Sequence, residues 1–315
     1  MRETEVMNFN SWNIVLTVSF GTLAIAILIG NLVAIFVFFK QKLRKRRHFL
    51  LISIAIADLM VGLVSIPIFV ILNTNYMTRL LLLVFDSIDM LAGLASVFIL
   101  AVISLERMHA IGWPLRHRSL SSRVYIVGIV IPWCLAAIAS SSRLLFYYSV
   151  ITRQHFVAII IISLTTPPTI SILCYCFIWK TLKTRLPNPH RNASDDKLAK
   201  TLLLVTGAFI ITCLPFEILV VVVNLRVSCR QLPAMFVYII KLLHFSNSLI
   251  NIIIYPLRIP EFREALVNLL SSFSFLRCRH QSSELNAGTS VLSMSTIIDS
   301  FHPLGVDMTE QITSL

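Results

Sequence analysis

Residues 80–111 read LLLLVFDSIDMLAGLASVFILAVISLERMHAI. The run is longer than the ~20 helical residues that cross a hydrocarbon core of about 30 Å. Its ionisable residues lie near its ends, Asp86 and Asp89 toward one and Glu106 and Arg107 toward the other. A helix is the only single-segment answer in lipid, because unpaired backbone groups cannot face hydrocarbon. On that helix Asp89 and Arg107 are 18 residues apart. That is five turns, so they share one face roughly 27 Å apart along the axis. Ser96 falls on the same stripe, two turns from Asp89.

The same apolar pattern recurs on either side. Further runs cover about Asn13–Phe39, Phe49–Leu72, Val124–Ser141, Phe156–Leu182, Leu198–Val223 and Leu232–Tyr255. The expected fold is all-α, a seven-transmembrane helix bundle spanning residues 13–255. Composition agrees: 57% of the 315 residues are hydrophobic and 13% charged, against about 25% charged in ordinary globular domains. A mean hydropathy of +0.83 excludes both a water-covered core and a disordered chain. Six Cys do not make a disulfide scaffold. Residues 1–12 form a short N-terminus. In 256–276, Phe262, Leu266, Leu269, Leu270 and Phe273 recur at helical spacing, which predicts an amphipathic eighth helix on the membrane surface over Glu261–Leu276. Residues 277–315, rich in Ser and Thr, read as a disordered tail.

The net charge of +12 is distributed by side. Lys40, Lys42, Arg44, Lys45, Arg46 and Arg47 crowd the first loop, and Arg107, Arg116, Arg118 and Arg123 surround the third. Lys180, Lys183, Arg185, Arg191, Lys197 and Lys200 lie in or beside the fifth, and Arg258, Arg263, Arg277 and Arg279 follow the last span. The positive-inside rule makes these segments cytoplasmic. The N-terminus is then outside and the C-terminus inside, in a multi-pass protein expected at the plasma membrane. No cleavable signal peptide is expected, and the first span serves as its own insertion signal. Basic residues that flank spans, without a reading module, exclude a nucleic-acid partner.

Ionisable and polar residues inside spans are expensive and mark functional positions. The second span holds Asp58. The seventh carries Lys241, His244, Ser248, Asn251 and Tyr255 along one stripe, with Asn247 beside it. Such a stripe faces other helices or a wet cavity.

Several of these residues together carry a resemblance. Gly30-Asn31 stands in the first span, Ala57-Asp58 in the second, Glu106-Arg107-Met108 at the end of the third and Trp133 in the fourth. Pro167 precedes Tyr175 by eight residues in the fifth, Phe209 precedes Pro215 by six in the sixth, and Asn247-Ser248-Leu249-Ile250-Asn251-Ile252-Ile253-Ile254-Tyr255 is followed by Phe262. Over about residues 13–276 the chain resembles a rhodopsin-like G-protein-coupled receptor.

The resemblance implies a switch in which Arg107 pairs with Glu106 and with Asp195 at the foot of the sixth span. Its release would let a heterotrimeric G protein dock, with Tyr175 and Tyr255 moving beneath it and Phe209, Pro215, Pro167 and Asn251 in the transmission region. It implies a sodium site at Asp58, Ser96, Asn247 and Asn251, a carboxylate among hard oxygen donors; no other cofactor is implied. It implies a pocket for a small extracellular ligand lined by Asp89, Asp86, Ser163, Phe216, Glu217, Lys241, His244 and Phe245. At the position of Asp89 the amine-binding branch holds the ligand's ammonium group, so a cationic amine is the expected ligand. Two arrangements are open: Glu217 and Lys241 pair and leave Asp89 for a cation, or Asp89 pairs with Lys241 and the ligand is no amine.

Other features depart from the family pattern. The outer disulfide has no Cys at either expected end, Leu82 or the loop at about 142–155. This is similar to the melanocortin, lysophospholipid, cannabinoid and adenosine group, so a lipid, nucleoside or peptide ligand is the alternative. Cys213 stands where the family usually has Trp, and Ile252 where it has Pro. Cys278 among Arg277 and Arg279 suits palmitoylation and contact with membrane lipids. The tail suits arrestin once phosphorylated, and its end, Ile312-Thr313-Ser314-Leu315, suits a PDZ protein. A transporter is the more distant reading, but no internal repeat supports it. No catalytic pair or zinc spacing appears, so no enzyme is expected; His109 and His244 stand alone in the sequence.

Overall fold

The structure, a computed structural model, describes residues 11–40, 48–72, 78–184, 207–208, 211–216, 218–223, 233–258, 262–268 and 271. Among them the regular structure is helical. Six helices are long and apolar enough to cross a bilayer: Ile14–Phe39, His48–Leu72, Arg79–Gly112, Ser122–Tyr147, Arg153–Thr181 and Met235–Ile254. The predicted sixth span is described at 207–208, 211–216 and 218–223, and is helical there.

Several helices outrun the apolar blocks that predicted them. The third runs Arg79–Gly112, the fourth Ser122–Tyr147, the fifth Arg153–Thr184 and the seventh Ala234–Arg258. Hydropathy falls where side chains meet polar surroundings, whereas a helix continues until its end groups are satisfied. At the start of the third helix the Thr78 hydroxyl accepts the Leu81 N–H at 3.1 Å, an N-cap that settles one orphan donor. The fourth helix shows the consequence most clearly. The apolar run stops at Ser141, but the backbone stays helical through Arg143 to Tyr147.

The second span is not uniform. Val61–Ser65 form a π turn between His48–Met60 and Ile66–Leu72. Pro67 follows at once; lacking an N–H, it leaves the carbonyl four residues earlier without its helical donor, and a widened turn relieves that crowding. Ser65 at its end and Ile66 and Phe69 beyond it are buried.

The third helix is central and packs against the second, fourth and fifth, while the first packs against the second and seventh. Polar cross-links pin this arrangement. The Trp133 indole N–H donates to Ser53 Oγ at 2.9 Å, and the hydroxyls of Ser104 and Ser171 are bonded at 3.2 Å. At Gly30 a Cβ atom would overlap the Ile252 side chain, so glycine is what lets the first and seventh helices come this close.

The polarity is inverted relative to a water-soluble protein. Asn31, Asp58, Asp89, Ser96, Lys241 and Asn251 are buried, while Val18, Leu63, Ile138, Ile162 and Leu173 are 57–69% exposed. Only a hydrocarbon surround makes that distribution favourable. The bundle lies in one compact unit, Met1–Arg263, whose Phe262 ring packs against Phe38 at 5.1 Å. A second unit, Glu264–Leu315, is described at 264–268 and 271, which are helical. Of the segment expected to form a surface helix, residues 262–268 and 271 are helical; its remainder, the first ten residues and the tail from 272 lie outside the described residues.

The Gly30 notch yields a test. Gly30→Ala should lower the melting temperature of the detergent-purified protein, overpacking costing about 1–3 kcal/mol. Ile252→Ala added to Gly30→Ala should restore much of the loss, and failure to do so would show that the two helices do not meet there.

Candidate functional site

Three polar levels follow one another along the third helix. At the first, the Lys241 ammonium donates to Asp89 Oδ2 at 2.6 Å, and both side chains are buried, with 7% and 6% exposed. Aromatic faces enclose that ammonium: it lies 3.8 Å from the Phe216 ring centroid, 4.9 Å from Phe85, 5.1 Å from Phe245 and 6.0 Å from Phe69. The His244 ring stacks on Phe216 at 4.4 Å, and its Nε2 is 4.0 Å from Asp89 Oδ2. Asp89 Oδ1 and His244 Nδ1 are buried without a hydrogen-bond partner. A carboxylate backed by aromatic faces is an ammonium site, and the occupant here is the chain's own Lys241. One turn away, Arg143 Nε donates to Asp86 Oδ2 at 2.8 Å, with the second guanidinium contact at 2.6 Å.

At the second level the Asn251 amide donates to Asp58 Oδ2 at 2.9 Å. Asp58 is fully buried; its Oδ1 and the Ser96 hydroxyl have no hydrogen-bond partner. Asn247 Oδ1 accepts from Thr212 Oγ1 at 3.4 Å, across to the sixth helix. The donor set is one carboxylate with neutral oxygens. Among the described residues no three His, Cys, Asp or Glu side chains gather as a metal group.

At the third level Glu106 collects partners. Arg107 Nε is 2.5 Å from its Oε2, His117 Nε2 is 3.2 Å from Oε1, and the Tyr125 hydroxyl donates to Oε1 at 3.4 Å. His117 belongs to a short helix, Pro114–Arg118, that starts with proline, whose fixed φ suits a first helical position. The His109 ring lies 5.9 Å from Trp113 and 5.7 Å from His117, and Trp113 stacks on Phe177 at 5.6 Å.

The structure therefore joins Asp89, Lys241, Phe216, His244 and Phe245, and separately Asp58 with Asn251. Of the two arrangements open in the sequence, it takes the one in which Lys241 pairs with Asp89. Asp86 is paired with Arg143. Ser163 is half-buried on the fifth helix, and no described contact links it to Asp89. Pro167 is buried and Pro215 partly so, and Tyr175 lies against Trp179 with ring centroids 6.3 Å apart. Glu217, Phe209, Asp195 and Cys278, and the side chain of Tyr255, lie outside the described residues. The two histidines that stand alone in the sequence are not alone in space. Sequence reasoning also missed Arg143, His117, Tyr125 and Phe85. Arg143 was placed in a loop because the apolar run ends at Ser141; the usable signal was an unaccounted base on that helix opposite the unaccounted acid Asp86.

Comparison with known proteins gives the same outline. The family described as 7 transmembrane receptor (rhodopsin family) matches residues 30–255. Among curated proteins, the chain is 36% identical over 79 residues to 5-hydroxytryptamine receptor 2A of Drosophila melanogaster, covering 24% of this chain and 9% of that protein. It is 32% identical over 74 residues to adenosine receptor A2a of Cavia porcellus, 24% of this chain and 18% of that one. It is 33% identical over 107 residues to octopamine receptor beta-2R of Chilo suppressalis, 34% of this chain and 27% of that one. The chain thus spans about a quarter or less of the length of these relatives. With its apolar helices, the match describes a multi-pass membrane protein.

The buried pair makes a stability prediction. Lys241→Met leaves Asp89 buried and uncompensated and should destabilise the purified protein by about 3–5 kcal/mol. Asp89→Asn combined with Lys241→Met should recover most of that in thermal melts, and equal melting of the single and double variants would refute the pairing.

Proposed function

This chain belongs to the rhodopsin family of seven-transmembrane receptors, and on that premise we propose that it is a cell-surface receptor that converts the binding of a small extracellular ligand into activation of a heterotrimeric G protein. The observation that carries the reading is the third helix, which holds a buried, aromatic-lined carboxylate at one end and the Glu106–Arg107 pair at the other. A ligand that binds one arrangement of the bundle better than another shifts the population toward it. The bistable element would be the cluster in which Arg107, His117 and Tyr125 share Glu106. Freed from Glu106, Arg107 would offer a planar cation to a G-protein helix terminus, where backbone carbonyls are unsatisfied.

The side on which each event occurs follows from charge. Basic residues cluster around the Arg107 end, which supports a cytoplasmic position for it, with the N-terminus outside at the plasma membrane. Relatives named for 5-hydroxytryptamine, octopamine and adenosine support a small ligand. The resident Lys241 disfavours a simple cationic amine at Asp89, since such an amine must first displace the lysine.

The polar centre between the two ends fits a sodium ion. Asp58 Oδ1 and Ser96 Oγ are buried oxygens without partners, and both are hard donors suited to a small cation. Asp58 and Ser96 would hold it, with Asn247 and Asn251 beside them. The ion would supply the charge that Asp58 lacks.

Two measurements test these readings. Reconstituted in lipid discs with a panel of purified heterotrimers, the protein should accelerate uptake of a GTP analogue when amines, amino acids and nucleosides are supplied singly. Arg107→Ala should remove the acceleration; silence toward every heterotrimer, or an unchanged Arg107→Ala response, would overturn the receptor reading. Separately, sodium chloride should raise the melting temperature above that in choline chloride at equal ionic strength, and Asp58→Asn should abolish the difference. A sodium effect that survives Asp58→Asn would refute the ion site.

A further inference from the structure

Among the described residues the charges at the Asp89 level balance. Asp89 and Lys241 cancel, and Asp86 and Arg143 cancel one turn away. Among the described residues, neither pair offers a surplus charge of one sign, which a site for a purely cationic or purely anionic ligand would present. A cation that takes Asp89 leaves the Lys241 ammonium buried without a counter-charge, and an anion that takes Lys241 strands Asp89. Either leaves an uncompensated charge in a medium that solvates it poorly. A molecule carrying both charges avoids this. Its ammonium exchanges with Lys241 on Asp89 while its acidic group receives Lys241, so every buried charge keeps a partner and the net charge of the site is unchanged.

Local geometry favours that exchange. Asp89 Oδ1 has no hydrogen-bond partner, so an incoming ammonium has an acceptor before Lys241 leaves Oδ2. The rings of Phe216, Phe85 and Phe245 already surround an ammonium at 3.8 to 5.1 Å, and they serve a substituted ammonium equally well. Lys241 sits on a flexible four-carbon stem, so its head can follow the acidic group without a backbone shift.

We propose that the small ligand is a zwitterion, with an ammonium received by Asp89 and a carboxylate or similar acid received by Lys241. This rests on the receptor reading and names the ligand class of that same pocket. The aromatic lining further selects a zwitterion with an aromatic or apolar side group.

The test uses the purified full-length chain without G protein and reads ligand-induced shifts in melting temperature. The probes are matched triplets: tryptophan, tryptamine and indole-3-propionate; and tyrosine, tyramine and 3-(4-hydroxyphenyl)propionate. In at least one triplet the amino acid should stabilise at a concentration tenfold or more below that of its amine or its acid. Lys241→Gln should invert the preference toward the amine and Asp89→Asn toward the acid. If a single variant does not fold, Asp89→Asn combined with Lys241→Gln, which buries no lone charge, should fold and lose the zwitterion preference. The proposal is overturned if the amine matches the amino acid on the wild-type chain, if no amino acid stabilises it, or if the preference survives the double variant. Because binding is read directly, amino-acid stabilisation without nucleotide exchange would refute the receptor reading alone. Exchange driven by a pure amine would keep the receptor and refute the zwitterion.

Discussion

Neither lipid tails nor packed helices solvate an ion well, so each charge carried into this bundle must find its partner inside it. That constraint organises the interior. Lys241 meets Asp89, Arg143 meets Asp86, and Glu106 is shared by Arg107, His117 and Tyr125. Asp58 is the instructive exception, because one of its oxygens is bound by Asn251 and the other is not. Helix positions follow from these pairings as much as from apolar contact. The fourth helix must stay helical past its apolar run to bring Arg143 to Asp86. The seventh must lie close enough to the third for a lysine to span the gap.

The third helix sets the vertical scale. Asp89, Ser96 and Glu106–Arg107 occupy successive levels on it; the first recruits the seventh helix through Lys241, and the last recruits the loop helix and the fourth helix through His117 and Tyr125. The two departures in the transmission region lie in the packed interior or at a helix contact. Cys213 is buried in one apolar cluster with Ala57, Leu94, Ala95 and Ala136, at the position where the family usually has one large ring. Ile252 occupies the notch opposite Gly30, so the first and seventh helices interlock where the family usually has a proline.

The architecture was legible because membrane spans are written in the plainest code a sequence has, apolar length between polar ends. The seven runs could be read that way, and so could the polar residues inside them; the pocket role of Asp89 and the pairing of Glu106 with Arg107 came from the family resemblance. What could not be read was partner choice. A spacing of 3 and 4 says that Lys241 and His244 share a face, but not whether Lys241 turns to Asp89 or to Glu217. Arg143 was missed because hydropathy locates the edge of the apolar run rather than the end of the helix. His117 and Tyr125 were missed because they reach Glu106 from a loop helix and from the start of the next span, a meeting in space that no local pattern announces.

The widened turn at Val61–Ser65 has a consequence of its own. A helix that closes one turn with an additional residue has taken up an insertion without growing longer, so the faces on either side of that turn are out of phase by one position. Ala57 and Asp58 before it, and Ile66 and Phe69 after it, point inward in two different phases of the same span. Position-by-position comparison with relatives that lack the turn would pair the wrong residues beyond Ser65. By the same logic, a chain shortened by one residue within that turn would keep both inward faces, which makes the second span a place where length can change over evolutionary time without disturbing what it buries.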